Sequence, residues 1–233
     1  MSQNHPLISC ICVTNSRPTL LKRAIACFEA QNYPNKELII SHPKKDQQTK
    51  SVITEILGRS EILILQVERD ADESVGNARN LAILKCHGDY VCVWDDDDWY
   101  HPSRLSFQFN SMKTTGVGYN ASVLTKVLLF DNSTQKAYVS FSYCWENTLL
   151  CRKEIILQNQ YAHQNKGEDT HIIKFLDGKR FLHHIADAPF LYVYVYHGQN
   201  TWDYQHYQYL IGRSKPTSDE LNESIRALFY NSN

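Results

Sequence analysis

The chain has no sustained apolar run, no net excess of either charge, no paired cysteine motif and no glycine in the turn after its first apolar segment. Each shortage removes a class of protein. No stretch approaches the roughly 20 apolar residues of a membrane-spanning helix, and Met1 to Pro6 carry no signal-peptide pattern. The expected compartment is therefore cytoplasmic, with peripheral attachment to the inner face of a membrane left open. With 24 basic and 25 acidic residues the formal charge is −1, so no global field draws in nucleic acid or an anionic membrane. The seven cysteines, Cys10, Cys12, Cys27, Cys86, Cys92, Cys144 and Cys151, are odd in number and lack C-x-x-C spacing. They read as small buried hydrophobes, not as a zinc site or a disulfide framework. No internal repeat, low-complexity segment or linker divides the 233 residues, which suffice for one substantial core.

What is present alternates strand and helix. Leu7 to Val13 reads as a strand, and Pro18 opens a helix with Leu21, Ala24, Ile25 and Phe28 on one face. Leu38 to Ser41 is a second strand, Val52, Ile53, Ile56 and Leu57 a second helical face, and Ile62 to Val67 a third strand. A helix from about Ser74 stops at Gly88, and Tyr90 to Trp94 is a buried strand. Repeated βα units of this kind make an α/β fold, a mainly parallel sheet flanked by helices. After Pro102 a helix runs to Gly116 and the pattern changes to α+β. Val123 to Phe130 and Ala137 to Phe141 form an expected hairpin around Asp131 to Thr134. A helix is expected over Asp169 to Leu176, a two-faced strand over Phe190 to Tyr196, and a packed tail helix over Thr217 to Tyr230, with Leu221, Ile225, Leu228 and Phe229 inward. His183 and His184 fall on a partly exposed strand.

Four consecutive aspartates, Asp95 to Asp98, follow the buried strand directly. Ligands of open α/β sheets sit at such carboxyl-terminal strand ends, and like charges this close need donors or a cation to coexist. An EF-hand is excluded, because the glycine and closing glutamate positions counted from Asp95 are Tyr100 and Ser106. A divalent ion shared with phosphate oxygens fits better, since Mg²⁺ or Mn²⁺ there needs only one or two protein carboxylates. A solvated acidic turn capping the next helix is the alternative. Gly76-Asn77-Ala78-Arg79-Asn80 opens a helix whose amino terminus and arginine suit a phosphate or a base edge. Glu168 and Asp169 open another, as caps or as a general base. His197, at the end of the tyrosine strand, suits a metal, a phosphate or a polar turn.

In this order the residues resemble the inverting nucleotide-sugar glycosyltransferases of family 2, which have the GT-A fold. The landmarks are Thr14 to Pro18, Asn32-Tyr33-Pro34, Gly76 to Asn80, the aspartates followed by Pro102, and Gly167-Glu168-Asp169, so the resemblance spans Pro6 to about Trp202. It implies a single GT-A-like (Rossmann-like) domain over residues 1–233. Residues 1–100 would form a nucleotide-binding half, 101–215 an acceptor-binding half and 216–233 a C-terminal helix. It also implies Asp169 as catalytic base; Thr14, Arg79, Asp95 and Asp96 as donor-binding; and Asp97 at Mn²⁺ or Mg²⁺. Asn15 and Arg17, beside Thr14, are expected to bind the donor with them, and His197 to join Asp97 at the metal. Trp99 and Glu168, with Trp145 beside them, would hold the acceptor. The donor would be a nucleotide-diphosphate sugar and the acceptor a carbohydrate or glycolipid of surface-polysaccharide synthesis.

One position departs from the family pattern. Where two aspartates commonly follow the second strand, this chain has His42-Pro43-Lys44-Lys45, so recognition of the base falls to backbone groups, His42 or Asp46. Two rivals remain at this level. A nucleotidyltransferase would carry a glycine-rich phosphate loop where Thr14-Asn15-Ser16-Arg17 stands. A non-catalytic nucleotide- or sugar-binding protein of the same fold would not need both Asp97 and Asp169.

Overall fold

A computed structural model describes residues 5–230 of the chain. Met1 to Asn4, within the segment read for a signal peptide, and 231–233, at the end of the expected tail, lie outside the described residues. The first half runs β1 (Ile8–Val13), α1 (Pro18–Glu29), β2 (Lys36–Pro43), α2 (Gln47–Leu57), β3 (Ile64–Arg69), α3 (Val75–Lys85) and β4 (Tyr90–Val93). The second half continues with β5 (Trp99–Tyr100), α4 (Arg104–Thr114), β6 (Ala121–Leu124), β7 (Leu128–Asp131), β8 (Lys136–Val139) and β9 (Leu150–Arg152). It closes with α5 (Lys153–Gln158), α6 (Thr170–Gly178), β10 (Leu182–Ile185), β11 (Tyr192–Tyr196), α7 (Tyr204–Gly212), β12 (Lys215–Pro216) and α8 (Asp219–Tyr230).

The βα units of the first half stand where the apolar periodicity puts them. Four parallel strands pair in the order β4-β1-β2-β3, because each crossover helix buries its apolar stripe on the sheet and returns the chain in the same direction. Pro18 occupies the first turn of α1, and Ser74 caps α3 by accepting the Asn77 N–H. β9 then adds antiparallel to β4, and β6 and β10 complete a mixed seven-stranded sheet. The α/β fold with a mainly parallel mixed sheet flanked by helices is thus observed. Six of the seven free cysteines are buried, as their apolar settings require.

The second half departs in one respect. The expected first hairpin strand, Val123 to Phe130, is two strands in different sheets. The Thr125 N–H bonds to the Ile185 carbonyl at 2.8 Å and the Val127 N–H to the Ser140 hydroxyl at 3.0 Å, so the ladder breaks between β6 and β7. Only β7 and β8 pair as the hairpin, inside a second sheet of order β12-β8-β7-β11-β5. In β11, Val193 and Val195 bury against α8 through Ile225, while Leu221 of the tail helix stays exposed. His183 and His184 lie on β10, half-buried and exposed.

The central strands are tied together by one carboxylate. Glu37 on β2 is fully buried and accepts from the Ser9 hydroxyl of β1 at 2.6 Å, and from the His87 and Gly88 N–H groups at 2.6 and 3.2 Å. Burial alone would raise its pKa, but the bonds from Ser9 and His87 hold it below the ordinary value. Its stabilisation is therefore present above the unfolded pKa near 4.5 and is lost as pH falls through the lower folded value. Glu37→Gln should lower unfolding free energy at pH 7 by about 1.5–3 kcal/mol, the range for hydrogen bonds to a charged group. Chemical denaturation should show the gap between variant and wild type closing as the pH is taken below 4.

Candidate active site

A cleft of about 550 Å³ opens at the carboxyl ends of β1 and β4. All four residues of β4 are buried, and Trp94 beyond it is fully buried, donating its indole N–H to the Ala24 carbonyl at 3.1 Å and stacking on Tyr100 at 3.9 Å. Pinned there, the chain delivers Asp95 to Asp98 into the cleft wall. Each acid has its own partner. Asp95 takes the Arg79 guanidinium at 2.9 Å. Asp96 accepts from the Thr14 hydroxyl at 2.6 Å and from Arg17 at 3.3 Å, yet burial and the neighbouring Asp97 push it up to about 7. Asp97 is the exception. Burial opposes its charge, but His197 and Arg17, whose nitrogens lie 3.0 and 3.1 Å from its Oδ2, hold it below the ordinary value.

Asp98 does not cap the helix that follows it; Ser103 stands at the start of α4. It is buried, accepts from the Tyr192 hydroxyl and, at 2.9 Å, from the Val195 N–H, and burial drives its pKa well up.

The second group of acids comes from the other end of the chain. Gly76 lets α3 approach the 161–168 loop, since an added Cβ would fall 1.9 Å from the Ala162 carbonyl oxygen. One turn on, Asn80 exchanges two 2.9 Å bonds with the Tyr161 backbone. Arg79 then reaches both acids of the loop, bonding Glu168 and lying 3.8 Å from Asp169 Oδ2. Burial would weaken its charge, but Asp95 and Glu168 more than compensate and raise its pKa. Asp169 stands at the amino terminus of α6, yet its side chain caps nothing and lines the cleft. Glu168 lines it too, its carboxyl lifted by burial against the pull of Arg79.

Asp95, Asp96, Asp97, Arg17, Arg79, Glu168 and Asp169 all reach this cleft, and His197 meets it through Asp97. Arg79 is 95% buried with its terminal nitrogens given to carboxylates, so it stands as an anchor of the wall. Thr14 sits behind Asp96, and Asn15 is exposed outside the lining. Two expectations fail. His42, fully buried on β2 with Nδ1 3.0 Å from the Pro43 carbonyl, presents no surface to a ligand. Its neighbour Asp46 caps α2 and accepts the Ser16 N–H at 2.7 Å, holding the left-handed turn that carries Arg17. Trp99 pairs with Val193 across β5 and β11 and packs into the core, away from the cleft. Trp145 does line it.

The remaining lining was not read from the sequence. Phe141, Tyr143 and Glu146 come from the segment after β8, and His206, Tyr209 and Arg213 from α7 and its end. A signal for α7 exists, since Asp203 caps it and Tyr204, Tyr207 and Leu210 recur at helical spacing. Glu146 follows Trp145 with no pattern to mark it. Its carboxylate accepts from the Thr170 hydroxyl at 3.2 Å, and burial together with a hydrogen bond shared with Asp169 pushes it up to about 8.

Comparison with known proteins follows from this geometry. Residues 9–176 match the model of glycosyl transferase family 2. The chain is 33% identical over 106 residues to WcaA of Escherichia coli, provisionally named a colanic acid biosynthesis glycosyl transferase, covering 45% of this chain and 37% of that protein. It is 26% identical over 101 residues to the GalNAc(5)-diNAcBac-PP-undecaprenol beta-1,3-glucosyltransferase of Campylobacter jejuni, covering 43% and 33%. The chain thus spans well under half of the curated relatives it matches. Its fold superposes on the mannosyltransferase PcManGT of Pyrobaculum calidifontis, solved with GDP-Man and Mn²⁺, at a TM-score of 0.64 and 15% identity, over 98% of this chain and 72% of that one. S. aureus TarS (residues 1–349), solved with UDP-GlcNAc, gives 0.61 and 15% over 83% and 59%. The GT-A architecture is thereby shown. No described helix is long and apolar enough to cross a membrane.

The raised Glu146 has a consequence for stability. Below an ordinary pKa of 4.5 both folded and unfolded chains hold its proton; between 4.5 and about 8 only the folded chain does, so its contribution declines as pH rises through that window. Glu146→Gln, which never ionises, should be more stable than wild type at pH 8 by on the order of 1 kcal/mol after solvent screening. Melting curves across pH 4 to 8 measure the difference, and equal midpoints at pH 8 would remove the buried-acid assignment.

Proposed function

The chain belongs to glycosyl transferase family 2, and we propose that it moves a sugar from a nucleotide-diphosphate sugar to an acceptor hydroxyl with inversion at the anomeric carbon. The observation that carries this reading is one cleft holding two differently tuned acidic sites, Asp97 beside His197 and Asp169 beside Glu146. They suit the two ends of a single displacement.

At the donor end, Asp97 stays ionised at neutral pH and faces an imidazole, a carboxylate-plus-nitrogen donor set suited to a divalent transition ion. Among the described residues no group of three His, Cys, Asp or Glu side chains could hold a metal ion, so an ion here would have to take its other ligands from diphosphate oxygens and water. Mn²⁺ or Mg²⁺ held by Asp97 and His197 would neutralise the diphosphate and stabilise the charge that develops on the leaving group. Arg17 bridges Asp96 and Asp97 and is the cation for which the donor phosphates compete. Asp95 and Asp96 face the nucleotide, with Thr14 and Arg79 fixing their orientation.

At the acceptor end, Asp169 takes the proton of the attacking hydroxyl, a contribution of roughly 10²- to 10⁴-fold. Arg79 holds its loop against the donor acids, and Glu168 is available to a sugar hydroxyl. The acceptor is a carbohydrate or glycolipid, consistent with the polyprenol-linked glycan in the name of the Campylobacter relative. We read residues 1–233 as one transferase domain, with a donor half of 1–100, an acceptor half of 101–215 and a closing tail helix, working in the cytoplasm on surface-polysaccharide intermediates.

A thermal-shift panel of nucleotide diphosphates and nucleotide sugars, with and without Mn²⁺, identifies the donor because a bound ligand raises the melting temperature. Asp97→Ala should abolish the Mn²⁺-dependent part of nucleotide-diphosphate binding in calorimetry; affinity unchanged from wild type would refute the donor assignment. Asp169→Asn should keep donor affinity within about twofold while transfer falls by at least about 10²-fold. Equal turnover of the two proteins removes Asp169 as the base.

A further inference from the structure

The aromatic part of the cleft lining has a chemistry of its own. Phe141, Tyr143 and Trp145 alternate along the segment that ends in Glu146, and α7 adds Tyr209. Tyr143 and Tyr209 are 50% and 58% exposed, so these rings are not there to fill the core. Arg213 lies over two of the rings, its guanidinium 4.2 Å from the Phe141 ring and 5.4 Å from that of Tyr209, with one nitrogen donating to the Tyr209 hydroxyl at 2.6 Å. Among the described residues it has no carboxylate partner, although the same cleft contains seven acids: Asp95, Asp96, Asp97, Asp98, Glu146, Glu168 and Asp169.

An arginine stacked on aromatic faces keeps its in-plane N–H groups free for a planar or tetrahedral oxyanion. Resting on the Phe141 ring, Arg213 packs against the segment that carries Glu146, the neighbour of Asp169, and so lies on the side of the acceptor. The donor phosphates have their cation in Arg17 at the other acidic site. Exposed aromatic rings in a cleft suit the apolar faces of sugars.

We propose that this wall is the acceptor subsite and that it takes an acidic carbohydrate, a sugar bearing a carboxylate or a phosphate whose oxyanion is bound by Arg213. The assignment rests on the transferase reading for the word acceptor, but its test does not depend on turnover. Carboxylate and phosphate share the chemistry that Arg213 recognises, and the probes separate them.

Three p-nitrophenyl β-D-glucosides with one ring and different groups at carbon 6, the neutral glucoside, the glucuronide and the 6-phosphate, are titrated by ligand-observed NMR against the full chain. Wild type should bind at least one acidic glycoside about tenfold more tightly than the neutral one, and the tighter of the two identifies the oxyanion. Arg213→Gln should erase that preference while leaving the neutral glycoside and the Mn²⁺-dependent affinity for UDP and GDP unchanged. Tyr209→Ala should weaken all three glycosides. Equal binding of acidic and neutral probes by wild type, absence of binding by all three, or a preference that survives in Arg213→Gln each overturns the proposal. So does a loss of nucleotide affinity in Arg213→Gln, which would give the arginine to the donor. Failure of the transferase reading looks different: no nucleotide diphosphate binds wild type, while the preference among glycosides stands.

Discussion

The cleft depends on one guanidinium. Arg79 joins Asp95, at the end of a strand in the first half, to Glu168 and Asp169, at the mouth of a helix more than 70 residues later. Three carboxylates that converge while largely buried repel one another and lose hydration. A buried cation between them offsets both costs, and truncating one partner of such an arrangement typically costs about 3–5 kcal/mol. The acids after β4 and the pair before α6 can therefore share a cavity only because the same residue neutralises members of both groups. The packing around Arg79 serves that purpose: Gly76 allows the close approach, and Asn80 clamps the loop one turn further along α3.

This division explains why the acids of one run behave differently. Asp97 alone among the four is held below the ordinary pKa, because it alone faces both an arginine and an imidazole. Asp96, with a hydroxyl and part of the same arginine, sits near 7, and Asp98, with a phenol and an amide, is driven well up by burial. Sequence proximity makes the four look equivalent. Their environments distinguish a carboxylate held ionised by two nitrogen partners, one lifted towards neutrality and one that ties the two sheets.

The βα units were legible because β1, β2 and β4 are buried on both faces and α1 and α2 each show a single apolar stripe, patterns that survive in local sequence. Asp169 and Asp97 were legible through their places at an element boundary and through family resemblance. What escaped notice depends on pairing between distant segments. The break at Thr125 to Val127 is made by Ile185 and Ser140, neither of which is marked locally. His42 looked like a substitute for a base-reading carboxylate by alignment, but its side of β2 faces the interior. Trp99 looked like an acceptor platform beside the acids, yet β5 turns it into the pairing with β11. Glu146 carries no motif at all, and only the approach of Asp169 gives it a role.

The relation between Asp97 and His197 follows from the junction of the two sheets. β5 begins immediately after Asp98 and pairs antiparallel with β11, so the run of acids and the tyrosine strand meet at a shared ladder. Asp98 grips β11 twice, at the Tyr192 hydroxyl and the Val195 amide, and His197 follows Tyr196 at the end of that strand. Beside them Arg104 is fully buried and, among the described residues, has no carboxylate partner; its guanidinium lies within 5.4 Å of the rings of Trp94, Tyr100 and Tyr192. Those rings come from the end of β4, from β5 and from β11, so one cation–π cluster spans the junction that Asp98 ties. The spacing between the carboxylate and the imidazole is thus fixed by anchors one residue from Asp97 and two from His197. Asp97 and His197, which come from different sheets, are thus held like neighbours on a single element, because Asp98 keeps the two sheets in register.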